Sequence, residues 1–345
     1  MIEMSLQQSE SVALPHRSPG RQLRSVAVYS LLAAAMILTP AMLVFVPAVL
    51  FHCAIRNGKV GAWTAASIAI AIGAAYVIAV PGPANLRNMA WSSLAGVSLS
   101  VVLPSLLVLP LVERAEKFGR VLVALLMSSA VGLALTELGS RAILAFSPFV
   151  AQVAEVQRSN AQFVQFYRTN GVTPENLRMI ERWASYNTVV LPAFLLIMLT
   201  FVFILSLLML GRLKAWRELA AARGDNEAFG AYLFRNLSLP DWVLFAFIIG
   251  GLTPLASGML QTITVNTLAV VAFLYMLQGL AIFRFLLVAM GASLSGMVLG
   301  WLLLVFLTLT GVGPFLLALA GLFDPFFDFR HFKKRKDDSH ESHSD

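Results

Sequence analysis

Side chains able to do covalent chemistry are few in this sequence and stand far apart. The run nearest to a hydrolase nucleophile is Gly291-Ala-Ser293-Leu-Ser295-Gly296. Its spacing departs from Gly-x-Ser-x-Gly, and no histidine lies in a neighbouring apolar run to act as base. Small residues that let helices pack closely explain it better. No His-Glu-x-x-His pair and no phosphate-cradling glycine loop is present. His16 and His52 stand alone, and His331, His340 and His343 belong to the tail, so no metal set is expected. The single cysteine, Cys53, excludes an intrachain disulfide and a cysteine metal cluster. The expectation is a chain that is not an enzyme and carries neither cofactor nor metal.

The polar residues inside apolar runs carry more information, because each is costly at membrane depth. Gln278 follows Tyr275 by one turn and Asn266 by three, with Gln261 and Thr262 further back. Asn266, Tyr275, Gln278 and Gln261 are the candidate ligand-binding residues of an outward-opening cavity; interhelical hydrogen bonding is the other use of the same residues. Glu137 and Arg141, four apart on one helical face, are expected to pair near the membrane boundary. Arg284, between two phenylalanines, is expected to snorkel to headgroup phosphates. Ala65, Ala69 and Gly73 form one small-residue ridge and Gly296 and Gly300 another. Either suits internal helix packing or a partner's helices.

The elements that hold these residues are membrane helices. Of 345 residues 58% are hydrophobic and 12% charged, about half the charge of a soluble domain; mean hydropathy is +0.79. The net charge of +7 does not argue for nucleic acid, because Lys and Arg sit mostly in short connectors between apolar runs. Thr188 to Leu210 carries no charge, and roughly 20 apolar residues span a bilayer. Arg212, Lys214, Arg217, Arg223 and Arg235 follow it, which marks a cytoplasmic connector at 212–235.

Counting outward from there, 1–24 is a cytoplasmic tail and 25–140 holds the N-terminal transmembrane helices. Pro40 and Pro47 interrupt Ser25–Phe51. That run is either one kinked crossing or two short helices folding back at Thr39-Pro40, and the basic clusters on both flanks favour the fold-back. Val60–Val80, Met89–Val112 and Val121–Thr136 follow as spans. Residues 187–330 hold the C-terminal helices, with spans at Trp242–Gly258 and Thr264–Phe283. Arg284 is then a cytoplasmic turn, and Phe285–Phe323 splits at Gly311-Val-Gly-Pro314. The tail, 331–345, is charged and cytoplasmic.

Between the two helical sets, 141–186 mixes apolar and polar residues. Asn170-Gly171 breaks it, and Thr173-Pro174-Glu175 restarts a helix with an N-cap, a first-turn proline and an acid. This predicts an external amphipathic helical hairpin on the membrane surface. The fold class is therefore all-α: a polytopic transmembrane bundle of eight to ten hydrophobic segments. The setting is a bacterial cytoplasmic membrane, with both termini in the cytoplasm and the lipid bilayer as first partner.

The most distinctive string is Gly321-Leu-Phe-Asp324-Pro-Phe-Phe-Asp328-Phe329-Arg330. Interfacial phenylalanines and an Asp328–Arg330 pair account for it physically. It also resembles the C-terminus of the YybS-like bacterial membrane proteins, as do Gly171–Tyr186 before Leu191-Pro192 and the Gln278-Gly279-Leu280-Ala281 step. That family is distantly similar to the substrate-capture subunits of energy-coupling-factor vitamin transporters. The resemblance implies a small-molecule-binding or transport subunit, with the hairpin as a lid and a membrane-protein partner. The alternative is a non-transporting scaffold that recruits partners through its basic loops and tail.

Overall fold

The computed structural model describes residues 19–222 and 230–327. Every regular element among them is helical. The chain divides into two compact units. One comprises the described residues of Met1–Lys117, Val121–Pro148 and Leu199–Leu233; the other comprises those of Phe118–Arg120, Phe149–Met198 and Phe234–Asp345.

In the first unit, α1 (Pro19–Leu38) ends where Pro40 forces Thr39 into an extended conformation. A short 3-10 turn, Pro40–Phe45, reverses the chain into α2 (Val46–Ala79). The two helices run antiparallel. Gln22 donates to the Asn57 carbonyl at 3.4 Å, and the Tyr29 hydroxyl lies 3.4 Å from His52 Nδ1. The fold-back at Thr39-Pro40 is therefore present. Its returning arm ends in a kink at Gly58, and the next apolar run continues directly from there. The φ of +74° there belongs to a region that glycine alone enters freely. Beyond this bend Ala62, Ala65, Ala69 and Gly73 form one buried face. A methyl group on Gly73 would come within 2.9 Å of Leu94 Cδ1, so this ridge serves packing inside the unit.

The next stretch, α3 (Ala84–Val97), passes through one π turn, Ser98–Val102, into the short α4 (Leu103–Leu107) and α5 (Leu109–Glu113). It lies antiparallel to α6 (Phe118–Leu144) along a seam of small polar residues. Asn88 donates to the Leu144 carbonyl, Ser92 to Ser140, and Ser129 to the Ser100 carbonyl, at 3.2, 3.0 and 2.7 Å. At Gly132 a side chain would collide with the Leu99 carbonyl oxygen. The π turn is what turns the Leu99 and Ser100 carbonyls toward α6. Beyond the seam, Glu137 accepts from both Arg141 and Ser147, so the expected i,i+4 pair also ties down the chain leaving α6.

α9 (Leu191–Arg212) supplies Leu199–Arg212 to this unit, and α10 (Lys214–Ala222) follows. Trp216 and Tyr232 pack ring to ring at 5.1 Å, both buried. Burial, then the nearby Glu116 carboxylate, pushes the Tyr232 phenol well above its ordinary pKa. Three connectors meet here: Arg56 pairs with Glu218 at 3.5 Å, Lys59 with Glu113 at 2.8 Å, and Lys214 with Glu218 at 3.7 Å. The basic connectors 56–59, 113–117 and 212–218 thus share one end of the unit.

In the second unit α7 (Pro148–Thr169) and α8 (Pro174–Val189) pair as a helical hairpin, while residues 141–144 belong to α6. Thr173 caps α8 by accepting from the Asn176 amide. Arg168 pairs with Glu181, and Asn160 donates to the Ala184 carbonyl at 2.7 Å. The remaining helices are α11 (Val243–Gly251), α12 (Gly258–Ala289), α13 (Leu294–Leu309) and α14 (Val312–Phe327).

Several expectations change here. The 242–258 run is not one continuous helix: α11 holds only nine residues, because Gly250-Gly251 and Thr253-Pro254 end it. Arg284 is not at a turn but on an exposed face inside α12. The turn lies at Gly291, whose φ is +65°, and Ser293 caps α13 by accepting from Gly296 N. α13 and α14 meet at 110°, a broken span or re-entrant pair. Six described helices are long and apolar enough to cross a membrane, or seven if that pair counts as one span, fewer than the eight to ten expected.

α12 and α14 cross backbone on backbone. A methyl group at Gly279 would overlap the Leu317 carbonyl oxygen, and one at Gly321 would overlap that of Tyr275. Gly300 on α13 is looser: a methyl there would sit 3.0 Å from Leu287 Cδ2, and nothing but its own turn surrounds Gly296. Gly279→Ala should therefore force α12 and α14 apart at a cost of about 1–3 kcal/mol. Gly139→Ala, in α6 with open space around it, should be neutral or stabilise by about 0.5–1 kcal/mol. Thermal unfolding of the purified variants in one detergent checks the contrast.

Candidate functional site

Two places in the second unit concentrate polar groups. The first is the α12–α14 crossing. Gln278, 1% exposed, accepts the Leu239 amide at 2.9 Å through Oε1. Its Nε2 donates to Asp324 Oδ2 at 3.0 Å. Asp324 is 8% exposed. One amide thus joins the segment before α11 to the carboxylate of α14. Tyr275, one turn earlier and buried, meets Phe247 of α11 edge to face at 5.9 Å. The Gln278-Gly279 step and the Gly321–Asp324 part of the C-terminal string, 42 residues or more apart in sequence, therefore form one contact. Asp328, Phe329 and Arg330 lie outside the described residues.

Asn266 works elsewhere. At 100° per residue, nine residues put it about 180° from Tyr275 around α12. Its Oδ1 accepts from Ala193 N at 2.8 Å, while its Nδ2 donates to the Val189 and Thr262 carbonyls at 2.8 and 2.7 Å. Val190 and Pro192 interrupt the helical ladder between α8 and α9. Asn266 takes up backbone groups on both sides of that break. Gln261 is exposed in the first turn of α12. The four residues expected to line one cavity therefore do not converge. Asn266 and Gln278 hold backbone, Tyr275 packs, and Gln261 is exposed about four to five turns before Tyr275 and Gln278.

The second place is the hairpin, where α7 and α8 enclose an open groove of about 550 Å³. Gln157, Asn160, Gln165, Arg168, Glu181 and Ser185 give it polar walls, and Ala161, Val164 and Ala184 form part of its lining. A cation, an anion and several amides within one cleft can recognise a small polar or zwitterionic solute. The sequence reading treated this hairpin as a cover and not as a site. The signal for it is the recurrence of Gln157, Gln165 and Arg168, with the small Ala161 between them, on one side of α7.

Residues 26–325 match the family described as predicted membrane protein (DUF2232). The chain belongs to that family. The match takes in α12, the crossing and Asp324, and stops short of Asp328. No curated protein and no solved structure matches the chain. As a DUF2232 member it is a multi-pass helical membrane protein with the lipid bilayer as its surroundings.

The crossing network can be tested apart from any ligand. Gln278→Leu removes the acceptor of the Leu239 amide and one donor to the Asp324 carboxylate, at about 1–3 kcal/mol for a group left unsatisfied. Its unfolding midpoint should fall clearly below that of Gln261→Leu, which touches neither group; equal midpoints would remove the network from the frame of the unit.

Proposed function

We propose that this DUF2232 protein is a membrane-embedded small-molecule-binding subunit of the transport type, with the α7–α8 groove as the place that meets the solute. The carrying observation is the groove itself, a cleft that combines volume, opposite charges and amides. The α12–α14 crossing is then the frame that holds the helices behind it, and Asp324 a positioning group in that frame. The likeness of Gly321–Arg330 and Gln278–Ala281 to YybS-like proteins, and through them to substrate-capture subunits, agrees with this reading.

Native mass spectrometry of the protein extracted from its own membranes tests it. The wild type should retain a bound small molecule, and Ala161→Trp, which fills the groove, should lose it while keeping the same unfolding midpoint. A wild type that carries no small molecule, or an Ala161→Trp variant that keeps it, would overturn the proposal.

One observation favours the rival reading, a scaffold: Arg212 at the end of α9 and Lys214 and Arg217 on α10 are exposed beside the paired connectors. Truncation after Asp324 combined with Arg212→Glu and Arg217→Glu separates the two, since a scaffold loses its partners and a binding subunit keeps its solute.

Both readings use one orientation. The end of the first unit where 56–59, 113–117 and 212–218 meet is cytoplasmic, because excess Lys and Arg in short connectors favours that side. In a Cys53→Ser background, cysteines at Lys59 and Lys214 should stay unreacted when an impermeant maleimide is added to intact cells and react after permeabilisation. Labelling of both in intact cells inverts the map.

A further inference from the structure

The hairpin has a second side. The α7 positions that face α8 run through Asn160, and those of α8 that face α7 run through Leu177 and Ala184. At 100° per residue, Gln157 and Arg168 lie about 60–80° to one side of that line on α7, and Glu181 and Ser185 about 40–80° to the same side on α8. Two antiparallel helices place these same-handed sides on one face of the pair, and that face is the groove. Phe163 and Phe166 turn about 60–120° the other way on α7, and Trp183 and Met179 about 120–160° the other way on α8. The opposite face of the hairpin therefore carries the large aromatic side chains, with the uncharged Gln152, Ser159 and Asn187 between them.

That face is uncovered. Phe163 is 53% exposed, Phe166 61%, Met179 55% and Trp183 71%. Neither α7 nor α8 contains a fully buried residue, so the hairpin has no core of its own. Helices of 22 and 16 residues without a third layer are marginal in water. None of the four arginines, Arg158, Arg168, Arg178 and Arg182, falls on the aromatic face. Glu155 lies at its edge, paired with Arg158 at 2.8 Å.

The chain itself says what lies nearby. Three residues, 145–147, join α7 to α6, and Val190 alone joins α8 to α9; α6 and α9 are both membrane-span candidates. Both ends of the hairpin are thus tethered within a few residues of hydrocarbon. We propose that the aromatic face of α7–α8 lies in the headgroup region of the bilayer, leaving the groove face to water. Tryptophan and phenylalanine on one side with arginine on the other is the composition of a helix lying in that interface. The inference does not depend on the groove holding a solute.

Spin labels on single cysteines test it. In the Cys53→Ser background, labels replace Phe163, Trp183, Gln165 or Ser185, and the protein is reconstituted in phosphatidylethanolamine–phosphatidylglycerol vesicles. Labels at 163 and 183 should be open to oxygen and shielded from a water-soluble nickel chelate, and labels at 165 and 185 the reverse. Nickel access at 163 and 183 equal to that at 165 and 185 overturns the proposal, because the face is then in water. Protection of 163 and 183 from both reagents also overturns it, because protein, including a second copy of this chain, then covers them. A readout without labels is quenching by brominated lipid, which should be weaker in Trp183→Phe than in the wild type; equal quenching contradicts the proposal.

Discussion

Lipid tails are as apolar as leucine, so helices within a bilayer gain little by hiding apolar side chains from their surroundings. What holds them together is close approach, and in the second unit closest approach occurs where α12 meets α14. Glycine at 279 and 321 lets carbonyl oxygens of each helix rest against the backbone of the other. At that separation there is no room for intervening side chains, and the polar groups beside the crossing must be satisfied locally. Gln278 does this for Leu239 and Asp324. The packing at the glycines and the hydrogen bonds of the glutamine therefore depend on each other, and α11 and the segment before it are positioned by both.

The first unit solves the same problem with serine and glycine. Between α3 and α6 a polar or small residue recurs roughly every turn on each side, from Asn88 opposite Leu144 to Ser100 opposite Ser129. Hydrogen bonds of this kind are individually modest in a membrane. Their effect here comes from repetition along a seam that also admits the Gly132 backbone contact.

Much of the local structure was legible because its causes are local. Pro40 holds Thr39 out of the helical region, Thr173-Pro174-Glu175 starts a helix, and Glu137 reaches Arg141 by helical spacing alone. The hairpin followed from its mixed composition. What escaped was tertiary or depended on small breaks. Trp242–Gly258 is apolar enough to span, but Gly250-Gly251 and Thr253-Pro254 keep it from forming one continuous helix. Ser293 looked like part of a packing ridge and is a helix cap. Asn266, Tyr275 and Gln278 share a helix, and apolar runs with sparse polar residues invite grouping them. Their facing is set by α9, α11 and α14, which no spacing within α12 reveals. The groove was hidden for a related reason: it needs the pairing of two helices, each of which alone looks merely amphipathic.

The π turn at Ser98–Val102 makes the first unit's seam depend on chain length as well as on residue type. It inserts about one extra residue into an otherwise regular helix. Deleting a single residue there would leave an intact helix, but would rotate Asn88, Ser92 and Gly96 by about 100° relative to Ser100. The upstream half of the seam would then face away from α6 although no member of it had been replaced. Along this stretch a conservative substitution should be far better tolerated over evolutionary time than a one-residue gap.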